Sequence, residues 1–151
     1  MSVLEKVKAG GKGRRGPVAG PAHPALLEDV PMPALVQACR KLQEWWALDA
    51  DAMAGLLGTS RSTWFRWLEA RKTGKDCLWT GDQRARALAL LRIFEAVADL
   101  HPEDQEARQW IHQPLAAPGF GNRAPLAVMA SGFEGLLAVR DYLDFLHGAW
   151  T

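Results

Sequence analysis

From Pro33 onward the apolar positions recur at helical spacing. Leu35, Cys39, Leu42 and Trp46 follow one another at four, three and four residues, which puts them on one face of a helix. Pro33 suits that helix's first turn. Asp49 reads as the N-cap of a short helix through Leu57, stopped by Gly58. Ser60 caps the next helix, which runs to about Arg71 and ends in Lys72-Thr73-Gly74-Lys75. Thr80 and Gln83 stand at capping-box spacing before a longer helix to about Leu100. Leu88, Leu90, Leu91, Ile93, Phe94, Val97 and Leu100 make that helix apolar around most of its girth, so it is expected to be central. Pro102 opens a helix through His112 that presents Ala107, Trp110 and Ile111. A Pro/Gly loop and a short helix over Leu126–Ala130 follow. A last helix, Phe133 to His147, carries Leu136, Val139, Leu143 and Leu146 on one stripe. No segment alternates with a period of two, so the expectation is an all-α chain. Residues 1–31, rich in Gly, Pro, Lys and Arg and without periodicity, read as a flexible basic arm. The rest divides into a helical domain over 32–100 and a smaller C-terminal helical domain over 101–151.

Composition changes this picture at two points. The 151 residues carry a net charge of only +1, but the charges are segregated. Residues 1–15 hold five Lys/Arg against Glu5, and residues 61–92 hold eight against three carboxylates. Residues 99–151 hold three Arg against seven carboxylates. Two basic blocks and one acidic block suggest surfaces for different partners. Seven Trp against one Tyr is the second departure, since Trp is favoured where surfaces meet. Neither an apolar leader nor a membrane-length run is evident, and the chain is expected to be cytoplasmic.

The stretch from Met53 to Leu68 has the parts of a helix-turn-helix, over residues 49–71. Ala54 is small where two crossing helices approach, and Gly58 permits the turn. Met53, Leu57, Trp64 and Trp67 anchor both helices inward. Ser60, Arg61, Ser62, Thr63, Phe65 and Arg66 are then offered outward near the start of the second helix, the part that enters a DNA major groove in such motifs. Hydroxyls and Arg can bond base edges there, and Arg71, Lys72 and Lys75 would track phosphates. Glu69 shares that side and repels phosphate.

Signs of catalysis are missing. The histidines at 23, 101, 112 and 147 show no metal-ligand spacing with one another or with Cys39 and Cys77. Cys39 falls on an apolar helix face and Cys77 in a connecting loop, so neither is expected in a disulfide. Gly10-Gly11 and Gly119-Phe120-Gly121 follow no strand and are not phosphate-binding turns. Glu103, Asp104 and Glu106 suit a helix start, where the macrodipole favours negative charge. No cofactor, metal or active site is expected.

The C-terminal third carries a second, ordered signature: Trp110-Ile111, Pro114, Phe120-Gly121, Pro125-Leu126, Met129, Gly132, Gly135-Leu136, Val139-Arg140, Tyr142-Leu143-Asp144 and Gly148-Ala149-Trp150. Downstream of a helix-turn-helix, this succession resembles the Xre/MbcA/ParS-type antitoxins with their C-terminal toxin-binding domain. The resemblance covers about residues 45–150. Leu115 stands where the family often has Asn, and Phe145-Leu146-His147 where small and basic residues are common. The resemblance implies a cognate toxin encoded beside this chain, most often of the NAD-consuming RES type, whose nucleotide site the C-terminal domain covers. It also implies a homodimer that binds operator DNA and represses the shared operon. Trp150 lies beyond Gly148, which is expected to end the last helix and free the tail. Arg140, Asp144 and His147 share one edge of that helix. With Gly148, Trp150 and the loop residues Phe120 and Gly121, they form the expected toxin-binding set. Two other functions remain open: a transcription factor whose C-terminal half only dimerises or senses a ligand, and a pure inhibitor whose helix-turn-helix is vestigial.

Overall fold

The computed structural model describes residues 30–75 and 79–150, with only the backbone of Ala149 and Trp150. Most of the basic arm, Cys77, Gly10-Gly11, His23 and the Trp150 side chain therefore lie outside the described residues. The described residues form seven α-helices in order: α1 (Met32–Trp45), α2 (Ala50–Leu56), α3 (Arg61–Lys72), α4 (Gly81–Leu100), α5 (Asp104–Gln109), α6 (Pro125–Ala130) and α7 (Phe133–Trp150). A single 3₁₀ turn, Trp110–His112, follows α5, and there is no strand among the described residues.

The helix ends obey local chemistry. Asp49 Oδ1 accepts from the Ala52 N–H at 2.7 Å, and Ser60 Oγ from Thr63 at 3.1 Å. Thr80 and Gln83 form the reciprocal capping box, with bonds of 2.9 and 3.0 Å. The C-terminal ends of α1, α2 and α3 share one closure. A left-handed residue follows the cap, and the N–H after it reaches back five residues: Leu48 to Gln43, Thr59 to Ala54, Lys75 to Ala70. The left-handed residues are Ala47, Gly58 and Gly74.

Helix α4 packs against α1 on one side and α7 on the other. Its Ala87, Leu90, Leu91, Ile93, Phe94 and Val97 are buried in one hydrophobic cluster that runs from Leu35 to Leu143. The Phe94 ring meets Trp45 and Trp46 edge-on, with centroids 5.7 and 6.0 Å apart, a favoured aromatic arrangement. Arg108 lies 4.2 Å over the Trp45 ring and ties α5 to α1. Cys39 is fully buried, and desolvation pushes its thiol up to about 12, so it stays neutral at physiological pH. None of the described polar or charged residues is buried.

Two helix ends differ from the pattern read along the sequence. The helix after Pro102 becomes α5 plus the 3₁₀ turn, because Pro114 disfavours helical backbone at Gln113 and the last turn tightens. That turn buries Ile111 and leaves Trp110 half-buried, while His112 Nε2 lies 2.8 Å from the Trp46 carbonyl. In α7 the helix does not stop at Gly148 but continues to Trp150. Gly148 is not among the residues of positive φ. A helical glycine costs only about 1 kcal/mol against Ala, too little to end a helix that Ala149 continues.

Gly135 sets how closely α7 can approach α6. A Cβ there would overlap the Val128 carbonyl oxygen and lie 2.7 Å from Ser131 Oγ. Gly135→Ala should therefore cost about 3 kcal/mol or more of unfolding free energy in urea titration, since backbone must move. Gly55 has nothing within 4 Å of its would-be Cβ, and Gly55→Ala should gain about 0.5–1 kcal/mol. Equal stabilities of the two variants would contradict the α6–α7 contact.

Candidate interaction surfaces

The first surface is built on α2 and α3, joined by Leu57–Ser60. Gly58 takes φ +72, and a Cβ there would meet the Arg86 side chain at 2.8 Å, so the turn rests on α4. Trp64 is fully buried and its Nε1 donates to Gln43 Oε1 at 3.1 Å, which fixes α3 on α1. Trp67 packs edge-on to Trp64 and stacks on Trp79 at 4.3 Å.

With those rings inward, Ser60, Arg61, Ser62, Arg66, Lys72 and Lys75 are exposed, and Phe65 is 46% exposed. Several of them already have partners. Ser60 Oγ caps the helix and lies 3.1 Å from Thr63 Oγ1, which also accepts from Arg66 Nη2 at 2.9 Å. Thr63 is half-buried, so these two hydroxyls shape the helix start. The Arg61 guanidinium lies 5.6 Å over Phe65, giving a combined cationic and aromatic platform. Lys72 pairs with Glu69 at 3.3 Å, which offsets part of the repulsion that Glu69 presents. Arg71 is half-buried, with its Nε buried and without a hydrogen-bond partner among the described residues, so it is less free than Lys72 and Lys75.

The basic block read over residues 61–92 divides in space. Arg84 donates to the Val30 carbonyl at 3.0 Å. Arg86 pairs with Asp82 at 2.9 Å, its guanidinium 5.5 Å from the Phe133 ring. Arg92 pairs with Asp144 at 3.3 Å. These three serve internal contacts, and the exposed cations concentrate on α3.

The second surface is formed by the loop after the 3₁₀ turn, α6 and α7. Gly119, Gly121 and Asn122 take positive φ and fold the loop back on itself. Arg123 Nε donates to the Phe120 carbonyl at 3.1 Å. Phe120, placed in the expected toxin-binding set, is only 3% exposed, its ring 5.2 Å from Tyr142 in an edge contact, so it cannot itself meet a partner without leaving the core. The reversed backbone drives that ring into the core, so Phe120 pins the loop and leaves Gly121 on the outside.

On α7, Arg140 pairs with its neighbour Asp141 at 2.9 Å, and Asp144 is engaged by Arg92 of α4. His147 and Gly148 are exposed. Beside them stands a residue that the pattern reading did not select. Phe145 is 70% exposed, the more exposed of the two exposed large hydrophobics among the described residues. Ala138, Asp141, Phe145 and Gly148 form the outward stripe of the helix, all exposed. A signal existed in the sequence: Phe145 lies off the apolar stripe of Leu136, Val139, Leu143 and Leu146.

Neither surface holds metal-ligand geometry, and no group of His, Cys, Asp or Glu among the described residues could hold an ion. No described helix is long and apolar enough to cross a membrane. Residues 96–148 match the family described as the antitoxin Xre/MbcA/ParS C-terminal toxin-binding domain, a family of binding domains rather than enzymes. The match runs from the end of α4 through α7 and contains the whole second surface except its last two residues. The chain is also similar to the uncharacterized protein y4oB of Sinorhizobium fredii. The two are 31% identical over 119 residues, covering 78% of this chain and 87% of that protein.

The two phenylalanines of the C-terminal surface should separate cleanly in denaturation. Phe120→Ala should cost about 3–5 kcal/mol, because it empties a core position. Phe145→Ala should change stability by no more than about 0.5 kcal/mol. A large loss at Phe145 would mean that its ring is covered within the chain itself.

Proposed function

As this chain belongs to the family that carries the antitoxin Xre/MbcA/ParS C-terminal toxin-binding domain, we propose that it is the antitoxin of a toxin–antitoxin pair that also represses its own operon. The observation that carries the first half is Phe145, a ring left 70% exposed within the matched domain. Leaving such a ring in water forgoes about 1.5–3 kcal/mol of burial, a gain still open to a partner. Asp141 and Gly148 flank it on the outward stripe of α7, Arg140 and His147 lie on another edge of the same helix, and Gly121 lies on the exposed loop of the same domain. Trp150, in the last turn of α7, is the second anchor of this reading. Large aromatics in the middle of an interface commonly carry most of its energy.

The partner is a cognate toxin of the RES type, which consumes or transfers from NAD, and the C-terminal domain covers the mouth of its nucleotide cleft. The protein acts as an inhibitor by occlusion and needs no cofactor. Phe145→Asp, or deletion of residues 148–151, should weaken toxin binding by about thirtyfold or more, some 2 kcal/mol, in calorimetric titration. The unfolding midpoint should stay unchanged. Undiminished binding by both variants would move the interface away from α7.

Repression is assigned to α3. Its exposed Arg61, Ser62, Phe65 and Arg66 enter the major groove, Arg61 and Arg66 read base edges, and Lys72 and Lys75 hold phosphates. Phe65 supplies apolar contact with a thymine methyl. The protein binds as a homodimer in the cytoplasm, with half-sites about 34 Å apart. Arg61→Ala and Arg66→Ala should each cost about 1–3 kcal/mol at the operator and relax its sequence preference. Lys72→Ala should weaken all duplexes alike. Normal repression by both arginine variants would remove α3 from the DNA.

A further inference from the structure

Among the described residues two large hydrophobics are exposed, Phe65 on α3 at 46% and Phe145 on α7 at 70%. Each ring stands one helical turn after an exposed charge, and the two charges have opposite signs. Arg61 precedes Phe65 by four residues, and Asp141 precedes Phe145 by four. Both charges are engaged only on their own helix. The Arg61 guanidinium lies 5.6 Å from the Phe65 ring centroid, and Asp141 pairs with Arg140 at 2.9 Å while staying mostly exposed. Exposed pairs of this kind are given up at small cost.

The surroundings of each ring carry the same sign as its neighbour. Around Phe65, Arg61, Arg66, Lys72 and Lys75 are exposed against Glu69 alone. On α7, Glu134, Asp141 and Asp144 stand against Arg140, with Arg92 of α4 reaching Asp144. Laid side by side and parallel, the two helices bring Arg61 to Asp141 and Phe65 to Phe145 in one register. In that register the Gly58 turn falls opposite Ala138, where both residues are exposed and neither carries more than a methyl group. Edge-to-face contact of the rings is then open, and such pairs are favoured. Both rings are exposed in the folded chain, so this pairing needs a second copy.

We infer that a second copy of this chain docks its α7 face on α3, with Phe145 against Phe65 and Asp141 against Arg61. Burial of the two rings supplies the attraction. The charges set the register and reject the wrong pairings, since α3 repels α3 and α7 repels α7. One ring pair and a few charges make a small contact, and small interfaces are transient. The association therefore belongs to the sub-millimolar range, and at low micromolar protein both faces are free. A copy held on both sides presents neither face, so any ligand of either one competes with the contact. The inference goes beyond the assignment of DNA to α3 and of toxin to α7, and it stands without them.

The test is a concentration series of the isotope-labelled full chain, read in amide NMR spectra at low and at high salt. At low salt, residues 58–66 and 138–148 should shift together as concentration rises, with one shared midpoint. The shifts should shrink at high salt, where exposed charges are screened. Arg61→Glu and Asp141→Lys, each alone, should raise the dissociation constant about tenfold or more. The chain that carries both restores opposite charges between copies and should regain most of that loss. Phe145→Ala should weaken the contact about tenfold. All three positions are exposed, so the melting midpoints should match that of the parent chain. Spectra that do not change with concentration, or that change in only one of the two segments, would overturn the inference. So would a doubly reversed chain as weak as the single variants, because Arg61 and Asp141 would then not face each other.

Discussion

The burial of α4 on two sides at once is the constraint on which the rest of the structure depends. Ala87, Leu90, Leu91, Ile93, Phe94 and Val97 belong to one cluster that also takes in α1, α2, α3 and α7. The apolar bodies of both surfaces are thus used up internally: Trp64 and Trp67 from α3, Leu136, Val139 and Leu143 from α7. What each surface can offer outward is decided by which residues that packing leaves over. On α3 these are Arg61, Phe65 and Arg66; on α7 they are Arg140, Phe145 and His147. Arg86 spans the same ground at the helix start, touching the Gly58 turn, Asp82 and Phe133. The α2–α3 turn and the beginning of α7 therefore both lie against one side chain.

The two surfaces differ in how their charges are held. On α3 the exposed cations have only local partners such as Glu69, and exposed pairs of this kind are worth little, about 0–1 kcal/mol. They can be given up to a phosphate at small cost. On α7 Asp144 is reached by Arg92 of another helix, Arg140 has only its neighbour Asp141, and both pairs are partly exposed. The unsatisfied feature there is apolar, the Phe145 ring. A polyanion suits the first arrangement and a protein with an apolar niche suits the second. This chemical division is the reason for assigning the two partners to opposite halves of the chain.

Much of the fold was legible because local rules set it. Asp49, Ser60 and Thr80 cap where capping chemistry requires, Gly58 turns where the helices must cross, and the inward Trp pair of α3 follows from spacing alone. Three features were not legible, two of them for tertiary reasons. Phe120 reads as part of the toxin-binding set, but with Gly119, Gly121 and Asn122 at positive φ its ring lies buried against Tyr142. Gly148 reads as a helix stop, yet the helix absorbs it. The basic run over 61–92 reads as one patch, but Arg84, Arg86 and Arg92 find partners on other elements. Phe145 was missed for the opposite reason, because attention to the apolar stripe of α7 passes over the residue that lies off it.

The central claim is that α7 and its loop receive a protein partner while α3 stays free for DNA. Backbone hydrogen exchange of the full chain, alone and with the protein encoded beside it, tests this most directly. Protection confined to residues 113–124 and 133–150, with residues 60–72 exchanging as before, is the predicted result. Protection centred on residues 60–72, or no change along α7, would contradict it.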